Sequence, residues 1–223
     1  MNELGEILSS IKQTIREREE TFEALPEEEK KRIFDEQKKQ EEMEKTEQRE
    51  RQLEEWKRRG ITRRYFEAEW DNWITDMPEK EKALKNAKTA WNTNLFFSGG
   101  NGTGKTHLAM CLAKEGGIYR RLPDIFREVR LDFESEEKII EYYGKCDLLI
   151  IDEVGRQKFS DFEVNLFFEI IDRRWNNVLP TTVITNLTAR EFAEFYSKAI
   201  LDRLRPTEIN FNWESARGQS ITA

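Results

Sequence analysis

Residues 94–106, "NLFFSGGNGTGKT", decide the fold expected for this chain. The apolar run that opens the stretch predicts a buried strand, and the "HLAMCLAKE" that follows it is typical of a helix. Between them stands a glycine-rich loop ending in Lys105 and Thr106, the pattern of a phosphate-binding loop between a strand and a helix. Its glycines let consecutive backbone N–H groups turn toward an anion at the positive end of the helix. The stretch therefore predicts a nucleotide site.

Several residues of this loop have predicted roles. We expect the Lys105 ammonium to reach the outer phosphates and the Thr106 hydroxyl to bind Mg²⁺. We interpret His107 as a packing residue or an incidental neighbour of the phosphates rather than a catalytic base. The predicted nucleotide-binding residues of the loop are Gly99, Gly100, Asn101, Gly102, Thr103, Gly104, Lys105, Thr106 and His107.

A second motif, "DLLIIDEVG" at residues 147–155, supplies carboxylates. Its apolar run predicts a strand that ends in Asp152 and Glu153 beside the glycine-rich loop. Asp152 is suited to hold Mg²⁺ through water, and Glu153 to orient or deprotonate an attacking water. Neighbouring acids of this kind indicate hydrolysis rather than binding alone, and the alternative is a pair of surface acids.

Asn186 follows a third apolar run, "TTVIT". An asparagine after a strand is often a turn former. In this series of motifs, its amide is also suited to donate to the γ-phosphate and to accept from the attacking water. We therefore predict a catalytic role for Asn186.

Residues 60–223 alternate short apolar runs with helix-like stretches. The runs at residues 94–98, 117–120, 147–152, 181–185 and 208–213 predict five strands. At least the first four have the composition of central strands buried on both faces. The pattern predicts an α/β fold with a parallel sheet between helices and ligands at the carboxyl ends of the strands.

Residues 1–59 have a different composition, in which large apolar residues are too few for an independent core. We expect a highly charged arm, helical or partly disordered until a partner covers it, ahead of a nucleotide-binding domain at 60–223. Lys and Arg number 14 against 18 Asp and Glu in the arm, and 23 against 26 after it, so the chain carries a net charge of −7. Any nucleic-acid contact must therefore come from a local basic groove.

The sequence also indicates whether to expect a zinc site or a membrane-spanning segment. Cys111 and Cys146 lack metal-ligand spacing and His107 is the only histidine, so we expect no zinc site and a core position for Cys111. No run approaches the ~18 to 20 apolar residues of a membrane span, and the first residues lack the pattern of a signal peptide. We expect a cytoplasmic protein without a membrane partner.

The start of the chain carries apolar residues at spacings of three and four, which draw a stripe along one face of a helix. That stripe either docks on this protein's own body or binds another protein. We predict partner binding, because a charged arm gives the helix reach. The predicted partner-binding residues are Leu4, Ile7, Leu8, Ile11 and Ile15.

Together these motifs resemble a known family. The run from "GGNGTGKTHLA" through "DLLIIDEVGRQ", "TTVITNLT" and "DRLRP" to "FNWESARG" is similar to the AAA+ ATPase domain of DnaC-type bacterial helicase loaders, relatives of DnaA initiators and IstB transposition ATPases. The opening "NELGEILSSIKQ" is also similar to the start of such loaders. The resemblance implies an AAA+ fold, ATP hydrolysis with ATP and Mg²⁺ as cofactors, and a protein of a bacterial cell, encoded by its chromosome or by a phage.

The resemblance also implies partners. Members of the family bind a hexameric replicative helicase through their N-terminal region, contact single-stranded DNA and assemble into ATP-bound rings or spirals. Arg203 matches their arginine finger, which one subunit gives to the ATP of its neighbour, and Arg217 matches an arginine that contacts nucleotide in its own subunit. On an ideal helix Arg205 lies about 40° from Leu201 and Arg203 about 160°, so we expect Arg203 to project freely.

Two segments supply predicted contacts with single-stranded DNA. In "LPDIFREVRLDF" (residues 122–133), arginines are suited to phosphates and Phe133 to base stacking or subunit contact, whereas we expect Phe126 in the core. The segment "RQKFSDFE" (residues 156–163) follows the carboxylate motif. The predicted DNA contacts are Arg127, Arg130, Phe133, Lys158, Ser160 and Phe162.

These observations predict a helicase loader that hydrolyses ATP on release. The main alternative is an IstB-like transposition adaptor that binds duplex DNA and a transposase. A third reading is an ATP-locked scaffold without turnover, against which Glu153 and Arg203 argue.

Overall fold

The structure of the protein, a computed structural model, describes residues 7, 10, 12, 13, 16, 22–131, 136–155 and 159–215. It divides into two compact units, Met1–Glu54 and Glu55–Ala223. Helix α1, Glu27–Arg58, contains the boundary between them. No described helix is long and apolar enough to cross a membrane.

The described part of the first unit is helical and solvated. Three glutamates open α1 and Lys57 and Arg58 close it, which complements the helix dipole. Ion pairs one turn apart, such as Arg32 with Glu36, line its surface. None of the described residues up to Glu54 is buried, which agrees with the expectation that this composition cannot form a core. Ile7 is 58% exposed, and Leu4, Leu8, Ile11 and Ile15 lie outside the described residues.

The second unit contains a five-stranded parallel sheet in the order β2-β3-β4-β1-β5. The strands are β1 (Leu95–Gly99), β2 (Ile118–Arg121), β3 (Leu149–Val154), β4 (Thr181–Thr185) and β5 (Thr207–Phe211). All five predicted strands are confirmed, with ends shifted by at most two residues. Because β3, β4 and β1 are neighbours, the glycine-rich loop, the two acids and Asn186 leave the same edge of the sheet side by side.

Helices cover both faces of this sheet. They are α2 (Pro78–Ala87), α3 (Lys105–Lys114), α4 (Leu122–Leu131), α5 (Glu136–Lys145), α6 (Asp161–Asn176), α7 (Ala189–Phe195) and α8 (Lys198–Leu204). Ile151 and Val183 pack with residues of α4 to α8, including Phe126. Ile150 and Ile184, next to them in sequence, are equally buried and face the opposite side, because side chains alternate along a strand. The predicted α/β fold and the core position of Phe126 are confirmed.

Candidate nucleotide-binding site

The backbone of the glycine-rich loop adopts conformations that only glycine takes without strain. Gly102 and Gly104 have φ of 77° and 94°, and Gly104 is the N-cap of α3. A Cβ on Gly104 would lie 2.1 Å from a ring carbon of Trp73. Glycine is therefore required at this position both for the backbone turn and for the space that Trp73 leaves.

Lys105 lies inside the loop. It is 7% exposed, and its Nζ donates to the carbonyl oxygens of Gly99 at 2.8 Å and Gly100 at 2.6 Å. These bonds place the ammonium at the carboxyl end of β1, within the concave side of the loop. A phosphate in the loop can replace these carbonyls as the acceptor of its N–H groups.

Asp152 accepts hydrogen bonds at both of its carboxylate oxygens. Its Oδ2 accepts from the Thr106 hydroxyl at 3.0 Å and from the Tyr119 hydroxyl at 2.8 Å, and its Oδ1 accepts from the Glu153 N–H at 2.6 Å. The structure thus brings together Thr106 and Asp152, the two predicted Mg²⁺ ligands. A hydroxyl and a carboxylate beside a phosphate loop fit a hard cation that keeps several of its waters.

Glu153 has φ of 59°, which a residue with a side chain adopts at a cost of about 1–2 kcal/mol. The chain around it is fixed, because the Thr185 hydroxyl donates to the Val154 carbonyl at 2.6 Å. Glu153 lines a cavity of about 440 Å³ together with Lys105, Thr106, Asp152 and Asn186. The strained backbone therefore lies where the predicted catalytic groups converge.

Asn186 is tied to the loop rather than to a turn of its own. Its Nδ2 donates to Asn101 Oδ1 at 3.1 Å, which holds the end of β4 against the tip of the loop. His107 lines the same cavity, with its Nε2 3.0 Å from the Glu69 carbonyl oxygen and its ring 5.6 Å from that of Trp73. This contact agrees with the interpretation of His107 as a packing residue.

Sequence reasoning missed several residues around the loop. Arg64 and Tyr65 line the cavity, from a 3-10 turn at Arg63–Tyr65. The Trp213 indole N–H donates to the Thr103 carbonyl at 2.9 Å, and Trp73 packs over Gly104. The aromatic-rich "RRYFEAEWDNW" that follows residue 62 was the available signal, because aromatic residues near a loop of small residues often pack on it.

The expectation that Arg203 projects freely is wrong. Its guanidinium makes an ion pair with Asp172 of α6 and lies 4.5 Å from the centre of the Phe168 ring. Arg205 does not continue the helix on which the angular argument relied, because it is the C-cap of α8 with φ of 37°. Packing of α8 on α6 decides the environment of Arg203. Arg217 lies outside the described residues.

Among the predicted DNA contacts, Arg127, Arg130 and Ser160 have polar partners within the protein. Arg127 pairs with Asp124 at 2.6 Å, and Arg130 pairs with Glu163. The Ser160 hydroxyl is the N-cap of α6 and accepts from the Glu163 N–H. Phe162 is 41% exposed, whereas Phe133 and Lys158 lie outside the described residues. Arg127 and Arg130 can exchange a carboxylate for a phosphate, so their role in DNA binding stays a prediction.

The described residues include no group of three or more His, Cys, Asp or Glu side chains that could hold a metal. Cys111 is 2% exposed within α3, as its interpretation as a core residue requires. Burial raises the pKa of its thiol to about 12.

Comparison with known proteins agrees with this geometry. The chain is 29% identical to the replicative helicase loader DnaC of Escherichia coli K12 over 184 residues, which are 73% of this chain and 74% of that protein. It is 30% identical over 178 residues to the uncharacterized protein YdaV of the same strain, covering 72% of each chain.

Among solved structures, the DnaC helicase loader superposes with a TM-score of 0.60 at 23% identity, covering 67% of this chain and 99% of that one. DnaI superposes with a TM-score of 0.60 at 22% identity, covering 69% and 93%. AMPPCP-bound DnaA from Aquifex aeolicus superposes with a TM-score of 0.58 at 17% identity, covering 65% and 50%. These likenesses show the AAA+ fold. The model of the IstB-like ATP binding protein family matches residues 42–220, and the chain therefore belongs to that family.

Proposed function

We propose that this protein is an ATP-dependent loader of a hexameric replicative helicase. The observation that carries the proposal is the similarity to the E. coli replicative helicase loader DnaC over about three-quarters of both chains. The site adds the chemistry of a switch, since a phosphate loop, an Asp–Thr pair and a glutamate share one cavity.

In the proposed reaction, each group around the cavity has a separate task. Lys105 and the loop N–H groups bind the phosphates, and Thr106 and Asp152 hold Mg²⁺, which neutralises phosphate charge when bound. Glu153 accepts a proton from, or orients, the attacking water, and Asn186 fixes that water against the γ-phosphate. The hydrogen bond from Asn186 to Asn101 supports this last role, because it holds the Asn186 side chain beside the phosphate loop.

We further propose that hydrolysis requires a second subunit. Arg203 of one subunit stabilises the charge on the γ-phosphate of its neighbour, and Arg217 contacts the nucleotide of its own subunit. The Arg203 side chain is 31% exposed and its partner Asp172 is 30% exposed, so the pair can open without unfolding either helix. ATP hydrolysis then depends on assembly into a ring or spiral, whereas each subunit can bind ATP alone.

Helicase binding is assigned to the N-terminal apolar stripe and single-stranded DNA binding to the second unit. Ile7 is more than half exposed on a helix, as a docking residue must be. For DNA, Arg127 and Phe162 are exposed and supply a cation and a ring suited to phosphates and bases.

A second candidate function is an IstB-like transposition adaptor, which the family match over residues 42–220 favours. It shares the ATPase chemistry but binds duplex DNA and a transposase. DNA preference separates the two functions: stimulation of ATP hydrolysis by single strands supports the loader, and stimulation by bent duplex supports the adaptor.

Complex formation tests the proposed partner. Full-length protein and a variant lacking residues 1–15 are mixed with the hexameric replicative helicase of the same cell, with and without ATP, and analysed by size-exclusion chromatography. We expect a complex with the full-length chain and none with the truncated chain, which should still bind ATP. Failure of the full-length protein to bind the helicase would contradict the proposal.

A further inference from the structure

We propose that Tyr119 is a positioning residue for Asp152 and thereby sets how much Mg²⁺ the nucleotide site requires. The inference rests on the proposed ATPase function, because it concerns the carboxylate assigned to Mg²⁺. It adds a residue from β2, a strand to which no role in the site has been assigned.

The geometry links the two side chains directly. Tyr119 is 7% exposed, and its hydroxyl donates to Asp152 Oδ2 at 2.8 Å across the parallel pair β2–β3. A tyrosine hydroxyl ordinarily ionises with a pKa of about 10. At neutral pH it is therefore protonated and donates this hydrogen bond.

The other donors to Asp152 have tasks of their own. The Thr106 hydroxyl is itself a predicted Mg²⁺ ligand, and the Glu153 N–H belongs to the strained backbone at the end of β3. Tyr119 is not among the residues that line the cavity. It can therefore hold Asp152 in the same orientation whether or not nucleotide is bound, as a residue behind a ligand should.

The backbone of Tyr119 is fixed as firmly as its side chain. β2 is an edge strand, and its outer side is covered by the chain that follows α1, since the Tyr119 N–H donates to the Arg59 carbonyl at 2.8 Å. Gly60 has φ of 87°, and a Cβ there would lie 2.1 Å from the Tyr119 carbonyl oxygen. The absence of a Cβ at Gly60 therefore lets this segment lie against the Tyr119 backbone, which supports β2 at the position from which the hydroxyl reaches Asp152.

Tyr119→Phe removes the hydroxyl and keeps the ring. The matched control is Tyr143→Phe, because the Tyr143 hydroxyl is also buried and donates to a carboxylate, Glu128, at 2.7 Å. Affinity for a fluorescent ATP analogue is measured in EDTA and across a Mg²⁺ titration. In EDTA, we expect wild type and both variants to bind the analogue with equal affinity. With Mg²⁺, the concentration that gives half of the effect on affinity should rise about tenfold for Tyr119→Phe and stay unchanged for Tyr143→Phe.

Asp152→Asn, alone and combined with Tyr119→Phe, provides a second test. If Tyr119 acts through Asp152, then adding Tyr119→Phe to Asp152→Asn should change the Mg²⁺ dependence no further. A folded Tyr119→Phe protein with the Mg²⁺ dependence of wild type would overturn the inference while leaving the ATPase proposal intact. Failure of the wild type to bind ATP at all would instead contradict the proposed function.

If Tyr119→Phe does not fold, the inference is tested on the wild-type protein by fluorine NMR. The tyrosines are replaced by 3-fluorotyrosine, and the resonance of Tyr119 is assigned by elimination with Phe variants at the other tyrosines. We expect this fluorine resonance to shift when Mg²⁺ is added to the ATP complex, while that of Tyr143 stays in place. An unshifted Tyr119 resonance overturns the inference.

Discussion

The ion pair between Arg203 and Asp172 gives a quantitative prediction about assembly. For Arg203 to reach a neighbour's nucleotide, its guanidinium must leave the Asp172 carboxylate. Both side chains are about one-third exposed, and a pair of this kind contributes about 1 kcal/mol. A substitution at Asp172 removes only the ion pair, because the Phe168 ring 4.5 Å from the guanidinium is part of a different residue. The pair therefore opposes assembly by about 1 kcal/mol.

Removing the carboxylate with Asp172→Asn should make the active assembly form more readily. Since 1.4 kcal/mol corresponds to a factor of ten, 1 kcal/mol lowers the protein concentration of half-maximal ATPase activity about fivefold. The assay is the rate of ATP hydrolysis per subunit as a function of protein concentration. The effect should shrink at high salt, because an exposed ion pair is already weakened there.

Two variants accompany this measurement. Glu169 lies on the same helix as Asp172, but it pairs with Arg173 and not with Arg203. Glu169→Gln should therefore leave the protein concentration of half-maximal activity unchanged. Arg203→Ala should abolish the dependence of activity on concentration and preserve ATP binding. A midpoint for Asp172→Asn that equals or exceeds that of wild type refutes the reasoning that Asp172 restrains the finger.

Three further predictions concern the site and the core. Glu153→Gln should bind ATP with the affinity of wild type and lose about 10²- to 10⁴-fold in single-turnover hydrolysis, and an unchanged rate would show that Glu153 is not the base. Gly104→Ala should lose ATP binding in a titration, because the added Cβ would collide with Trp73 and the backbone has a positive φ. Retained affinity would contradict the claim that glycine is required at this position. Because the pKa of Cys111 is raised to about 12, about one thiol in ten thousand is ionised at pH 8, so iodoacetamide should modify it only after denaturant is added.

The elements that carry local patterns were predictable from sequence. The phosphate loop, the buried strands and the acids at the end of β3 all follow from residue type and spacing along a short stretch, and the parallel sheet then places them at one edge. The core positions expected for Phe126 and Cys111, two apolar side chains in helix-like stretches, are also confirmed.

Contacts between distant segments could not be predicted in this way. Arg203 and Asp172 are 31 residues apart, and Tyr119 and Asp152 are 33 apart. Arg174 is 1% exposed and donates to the Tyr143 and Cys146 carbonyls at 2.7 Å, although its sequence neighbours suggest an exposed helical cation. Which cation is buried or paired depends on how helices pack, and the spacing of residues along one helix carries no information on its partner helix.

Loading itself is the central claim, and one measurement tests it most directly. The hexameric helicase of the same cell is mixed with circular single-stranded DNA coated with single-strand-binding protein, and the helicase retained on the circles is quantified with and without this protein. We predict retention that requires this protein, ATP and residues 1–15. Equal retention of helicase in the absence of this protein, or with the chain lacking residues 1–15, would contradict the account.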